Sequence, residues 1–231
     1  MKIPGDLHKK LSRRDWLLLC AGAVTALIFV EIVSLIDNSR TPVPYQSAGI
    51  SANWIPGTVK HWSAPIDAMA KKYDVDPNLV AIIMTMESGG QASAKSPDDA
   101  IGLMQVTPPT AKDIASKYLK KPETNYNLAD PNTNIEFGVA YLAYLRNYFG
   151  SAKQGPDWNS TVELVAAGYN GGPGAAASLR DGNGLQDSQT VVYSRDAFNM
   201  WRERRASDSP TFDRWKERGG STLLDAAKAS Q

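Results

Sequence analysis

The stretch "DPNLVAIIMTMESGG", Asp76 to Gly90, decides how this 231-residue chain is read. Asp76-Pro77 has the form of a helix N-cap followed by a first-turn proline, whose missing N–H costs nothing at that position. Leu79, Ile82, Ile83 and Met86 then recur at the i, i+3, i+4, i+7 spacing of one helix face. Gly89 and Gly90 stop the helix. Glu87 falls in the last turn, at the edge of that apolar stripe. A carboxylate is unwelcome there on two counts. Partial burial penalises the charged form, and the helix dipole is negative at this end, with unpaired carbonyls nearby. The side chain is therefore expected to hold its proton close to neutral pH, as a general acid for a glycosidic oxygen must.

Outward from this helix the signals stay helical. Thr107-Pro108 opens a second helix running to about Tyr118. Thr133-x-x-Glu136 reads as a capping box starting a long helix that ends at Gly150, and Ser160-x-x-Glu163 repeats the device before "LVAAGYNGGPG". A last long helix is expected from Gln189 to Arg205, with Tyr193, Ala197, Met200 and Trp201 on one stripe. Strand signals are sparse and no internal repeat is visible, so the class is mainly α. Trp54, Trp62, Trp201 and the row Phe137, Tyr141, Tyr144, Tyr148 read as core, while Trp158 in a Pro-Asp-Trp-Asn loop is the candidate for carbohydrate stacking. Arg195 to Arg218 mixes charges as a solvated helix surface does, and beyond Gly219-Gly220 the chain reads equally as loose tail or short helix.

Composition narrows the chemistry. The net charge is +1 with both signs interleaved, which gives no footprint for nucleic acid. Cys20 is the only cysteine and lies in an apolar run, so no disulfide forms within the chain. His8 and His61 are the only histidines, too few for a zinc amidase, and no Gly-x-Ser-x-Gly turn accompanies His61. No cofactor and no metal is implied. Carboxylate chemistry is what remains.

The N-terminus points to a membrane. Residues 16–36, from Trp16 through Ile36, form an apolar stretch of spanning length interrupted by Glu31. About twelve Leu, Ile, Val and Phe side chains at roughly −0.3 to −0.6 kcal/mol each outweigh one glutamate near an end at about +3 kcal/mol. Lys9, Lys10, Arg13 and Arg14 precede the stretch and, by the positive-inside rule, keep residues 1–15 in the cytoplasm and place the rest in the periplasm. "SRRDWLL" has the look of a twin-arginine export signal, but no Ala-x-Ala cleavage site follows, which favours an uncleaved inner-membrane anchor. Residues 37–53 then read as a linker containing Pro42 and Pro44, residues 54–206 as the catalytic domain and 207–231 as a C-terminal tail.

Two further motifs follow the acid. In "AIGLMQVTPPTA", Gly102 permits close backbone approach and Gln105 offers an amide suited to sugar hydroxyls and acetamides. In "AAGYNGGPG", Tyr169 and Asn170 sit at a helix end, where a phenol can hydrogen-bond a carboxyl and an amide can bind an N-acetyl sugar. Glu87-Ser88-Gly89, Gly102-Leu103-Met104-Gln105 with Pro-x-Thr-Ala, and Gly168-Tyr169-Asn170-Gly-Gly-Pro, in this order, resemble the soluble lytic transglycosylase catalytic domain, a relative of goose-type lysozyme. The resemblance covers about Ile66 to Trp201.

It implies a lysozyme-like helical domain acting on peptidoglycan glycan strands, which here would stand behind the one transmembrane helix read from the N-terminal hydropathy. Glu87 would be the sole catalytic carboxyl, protonating the oxygen between N-acetylmuramic acid and N-acetylglucosamine. The same group would then take the C6 hydroxyl proton as a 1,6-anhydro ring closes. Ser88, Gly102, Met104 and Gln105 are implied in the substrate groove, with Tyr169 and Asn170 near the acid. Tyr193 matches a tyrosine of a Glu-Thr-x-x-Tyr-Val stretch, whose glutamate is here Gln189 and whose valine is Ser194. Two readings stay beside this one. Asp98 or Asp99, in "SPDDAIG", would supply the second carboxylate that an inverting hydrolase needs about 6.5 to 9.5 Å from the acid. A wall-binding component with little turnover would keep the groove without needing the acid. The setting implied is local wall opening within a larger envelope-spanning or virion assembly, such as a secretion apparatus, conjugation channel or entering phage.

Overall fold

The structure is a computed structural model and describes residues 49–120, 126–149 and 158–231, the side chains of 158–160 apart. The anchor expected at residues 16–36 lies outside the described residues, as do most of the linker and the Trp158 side chain. Among the described residues no helix is long and apolar enough to cross a membrane.

Nine α-helices make up the described chain: α1 (Gly57–Lys60), α2 (Ser63–Tyr73), α3 (Pro77–Ser88), α4 (Pro108–Lys117), α5 (Pro131–Phe149), α6 (Trp158–Arg180), α7 (Ser188–Glu203), α8 (Pro210–Trp215) and α9 (Ser221–Ser230). The only extended pairing among the described residues is a small bridged loop, in which Lys95 faces Ile101 and Ile101 faces Val106. The mainly α reading holds.

Helix α3 starts as its sequence requires, with the Asp76 carboxylate accepting from the Asn78 N–H at 2.8 Å and Pro77 at N1. One expectation is corrected: burial is not confined to one stripe, and Glu87 alone in the helix is less than buried. Val80, Ala81, Met84 and Thr85 are as fully buried as the predicted stripe of Leu79, Ile82 and Ile83. Helices α1, α2, α7 and α9 all pack on it, so α3 is the hydrophobic centre around which the others are arranged. The Thr85 hydroxyl is tolerated there because it donates back to the Ala81 carbonyl at 2.7 Å.

A second correction concerns α5. It begins at Pro131, ahead of the expected capping box, and Asp130 accepts from the Thr133 N–H at 2.8 Å. Glu136 is spent elsewhere: its carboxylate takes the Lys72 ammonium at 2.6 Å and the Tyr73 hydroxyl at 2.8 Å, tying α5 to α2. The aromatic row also divides. Phe137 and Tyr141 are core, but Tyr148 is 66% exposed, because α5 extends a turn past the point where Tyr118, at the end of α4, meets Tyr144. Helix α6 breaks at Gly172, whose φ of 79° and ψ of 175° are open to glycine, and Pro173 restarts it. Beyond α7 the chain is helical again, and α9 returns to pack on α1 and α3.

Asn134, fully buried in the first turns of α5, holds the loop between α3 and α4 in place. Its Oδ1 accepts from the Met104 N–H at 2.7 Å, and its Nδ2 donates to the carbonyls of Ile101 at 2.7 Å and Leu128 at 2.9 Å. Gly102, with φ of 77°, lies against this amide, and a Cβ there would meet Asn134 Nδ2 at 2.6 Å. We predict that Asn134→Ala, which strands the Met104 N–H and the Leu128 carbonyl and leaves the Ile101 carbonyl only its bond from the Val106 N–H, lowers the unfolding free energy by roughly 3 kcal/mol in urea titrations. A change under about 0.5 kcal/mol would show that the loop is held by other means.

Candidate active site

The C-terminus of α3 builds the site. Gly89 turns the chain with φ of 63°, and its carbonyl accepts from the Thr58 hydroxyl at 2.6 Å. The Gly90 carbonyl accepts from the Trp62 indole N–H at 3.0 Å. These partners pin the two glycines that follow the helix, while the Thr85 and Ser88 carbonyls of its last turn accept from the Gly89 and Gln91 N–H groups, so the acid just upstream sits on a rigid terminus. Glu87 is half-buried there.

Its partner comes from α7. The Tyr193 hydroxyl donates to Glu87 Oε1 at 2.5 Å. Burial pushes the Glu87 carboxyl up from its ordinary 4.5 to about 7, and the Tyr193 hydrogen bond, which favours the anion, partly opposes this. Tyr193 itself is driven well above 10 by burial and by the neighbouring carboxylate, so its donor proton is secure at neutral pH. The phenol expected beside the acid was Tyr169. Its hydroxyl instead donates to the Met104 carbonyl at 2.7 Å, while its ring lies close enough for the Glu87 charge to add to the effect of burial on its own pKa.

The loop residues divide into shaping and facing groups. Ser88 is fully buried; its hydroxyl donates to the Leu103 carbonyl at 2.7 Å and accepts from the Gly90 N–H at 3.1 Å, so it staples the helix end to the loop. Met104 is also fully buried, packed on Gly138 so tightly that a Cβ there would meet its own Cβ at 2.6 Å. Gln105 is half-buried with a left-handed φ of 45°, and its amide nitrogen donates to Gly102 O at 2.9 Å and Ala94 O at 3.3 Å. Asn170 is half-buried at the α6 kink, with Oδ1 accepting from the Thr190 hydroxyl at 3.0 Å. It opens onto a cavity of about 570 Å³ between the second half of α6 and the start of α7, which Gln189 and Ser178 also line.

Asp98 and Asp99 are exposed on a turn organised by Ser96, whose hydroxyl accepts from the N–H groups of Asp98 and Ala100; Asp99 adopts a φ of 59°. This is the local use that aspartate finds in turns. Asn134, Thr58 and Trp62 support the site without having been singled out for it. An asparagine in a helix's first turns is a weak signal, and no sequence signal pairs an indole with a carbonyl 28 residues away.

Residues 64–191, more than half of the chain, match the family model described as the transglycosylase SLT domain. The chain belongs to this family. Among similar SLT-type proteins, the membrane-bound lytic murein transglycosylase E of Buchnera aphidicola is 40% identical over 101 residues, covering 43% of this chain and 46% of that protein. The membrane-bound lytic murein transglycosylase C of Haemophilus influenzae is 34% identical over 161 residues, covering 68% of this chain and 43% of that protein. The chain thus spans less than half the length of these relatives. An X-ray structure of an inactive mutant of lytic transglycosylase Slt from Pseudomonas aeruginosa aligns at 24% identity with a TM-score of 0.48, over 64% of this chain and 25% of that one. The SLT match ends before Tyr193.

Two predictions concern the acid. Because the Tyr193 bond favours the carboxylate, Tyr193→Phe will move the Glu87 titration to higher pH, read by NMR of labelled glutamate; a fall would contradict the geometry. Because the folded pKa lies above the unfolded one, Glu87 contributes stability that is full below about 4.5 and lost as pH rises through about 7. Glu87→Gln should therefore gain on the wild type over that window by on the order of 2 kcal/mol, in melts at a series of pH values.

Proposed function

We propose that this chain is a peptidoglycan lytic transglycosylase cleaving between N-acetylmuramic acid and N-acetylglucosamine with formation of a 1,6-anhydro ring. The observation that carries the reading is the Glu87 carboxyl, raised to about 7 and held by Tyr193 at 2.5 Å at the end of a buried helix. Membership of the SLT family and the names of the relatives support it.

With Oε1 occupied by the tyrosine, the proton rides on Oε2 and passes to the bridging oxygen as the bond from C1 to that oxygen breaks. The substrate's acetamide shelters the positive charge at C1. The carboxylate left behind then removes the C6 hydroxyl proton, O6 bonds to C1, and Glu87 is again protonated with no water consumed. A carboxyl whose pKa lies near neutrality is suited to give and then take a proton. Asn170, at the kink, and Gln105, on the loop, are proposed to meet the sugars. Ser88, Gly102 and Met104, buried as they are, act by shaping the loop. The exposed turn that carries Asp98 and Asp99 gives no support to a second catalytic carboxylate. Residues 16–36 are proposed to tether this activity to the inner membrane, with the SLT domain in the periplasm for local wall opening by a larger assembly.

Glu87→Gln keeps the shape and removes the donor, so release of muropeptides should fall at least a hundredfold while sacculus binding persists. Undiminished release would remove Glu87 from its role. Wild-type digestion in heavy-oxygen water should leave the new ends unlabelled; labelled reducing ends would assign a hydrolase instead.

A further inference from the structure

The acid and its tyrosine lie on different helices, so their 2.5 Å separation depends on what holds α3 against α7. The chain after α7 touches both helices within a turn of the reacting groups. Two residues past Glu87, Gly89 lies so close to the first turn of α9 that a Cβ would meet Leu223 O at 2.9 Å and Leu224 N at 3.1 Å. Leu224 and Ala227 bury the apolar side of α9 there. Three residues past Tyr193, on the same face of α7, Asp196 is only 7% exposed and takes the guanidinium of Arg218, in the wide turn Lys216–Gly220 that leads into α9. That turn is drawn tight by Trp215, whose ring lies where a Gly220 Cβ would be, 2.4 Å away at the nearest atom. At its near end the segment is tied to α7 by Glu203, whose carboxylate accepts from Ser209 at 2.5 Å and from the Thr211 hydroxyl at 2.8 Å. All of these contacts lie outside the SLT match, apart from Gly89 itself.

We propose that residues 210–230 form a strap that sets the contact between Glu87 and Tyr193, with Arg218 as its positioning residue through Asp196. The inference rests on Glu87 being the acid of the proposed reaction for its kinetic consequences, but not for its structural one. Arg218 is half exposed, whereas Asp196 is nearly buried and is also faced by the positive fields of Arg214 and Arg195. Loss of Arg218 therefore leaves a buried carboxylate short of its direct partner, and α7 shifts or loosens at the turn after Tyr193. The group acting on Glu87 is Tyr193, while Tyr169 only feels the Glu87 charge, and Tyr193 stands on the helix the strap grips.

The test is a cycle of Arg218→Ala, Tyr193→Phe and the double variant in the full chain, with Arg218→Lys and the isosteric Asp196→Asn as variants that spare the fold. Arg218→Ala and Asp196→Asn should each move the Glu87 NMR titration upward, toward the Tyr193→Phe value, with Arg218→Lys restoring part of the shift. The kcat for wall cleavage should fall roughly tenfold with KM little changed. The double variant should be no worse than Tyr193→Phe alone, because both act through one hydrogen bond. If Asp196→Asn and Arg218→Ala lower the melting temperature but leave the Glu87 titration and kcat at wild-type values, the strap is merely structural. Additive losses in the double variant overturn it equally. The titration is read without substrate, so a wild type that failed to cleave peptidoglycan would sink the proposed function while leaving the strap to stand or fall alone.

Discussion

The structure turns on keeping one carboxyl protonated at a helix end without letting the helix end fray. An acid at a C-terminus opposes the dipole and the unpaired carbonyls, and burial adds a desolvation cost. The protein meets both with neighbours. Thr58 and Trp62 take the glycine carbonyls, α3 is buried everywhere except at Glu87, and Tyr193 offers a single donor to that carboxyl. The carboxyl then has a pKa near neutral pH, as a result of the packing rather than of any charged partner.

The glycines of the site show how close the elements come. Gly89 admits a backbone carbonyl from α9, Gly102 admits the Asn134 amide, and Gly138 admits the Met104 side chain. Each is a place where a methyl group would push apart two elements that position the acid or the loop facing it. The loop between α3 and α4 is therefore held by buried polar groups, Ser88 from one side and Asn134 from the other, while Ser93, Lys95, Pro97, Asp98 and Asp99 lie exposed on its surface. For such a site, residues that never reach the ligand decide its geometry as much as those that do.

Much of this was legible along the chain. Local rules placed the start and stop of α3, the Thr107-Pro108 start of α4 and the stripe on α7, because caps, prolines and periodicity act within a few residues of each other. The acid was legible for the same reason, its oddity being local: an ionisable group in the last turn of an apolar helix. Where pattern misled, a distant partner had intervened. Glu136 looks like a capping residue until Lys72 and Tyr73 arrive from 64 and 63 residues away. Tyr148 looks like core until the neighbouring helix ends a turn too soon.

The sequence by itself determined the helical class, the unusual placement of Glu87 in the last turn of an apolar helix and the order of the three motifs that resemble the SLT family, since each depends on residues near one another in the chain. Only the tertiary structure decided that Tyr193 rather than Tyr169 holds the acid, that Ser88 and Met104 face inward, and that the last helices return to grip α3 and α7. The reason is physical: a pKa shift by burial and a hydrogen bond across 106 residues are properties of packed neighbours. Packing is set by the sum of all contacts, not by any one stretch of chain.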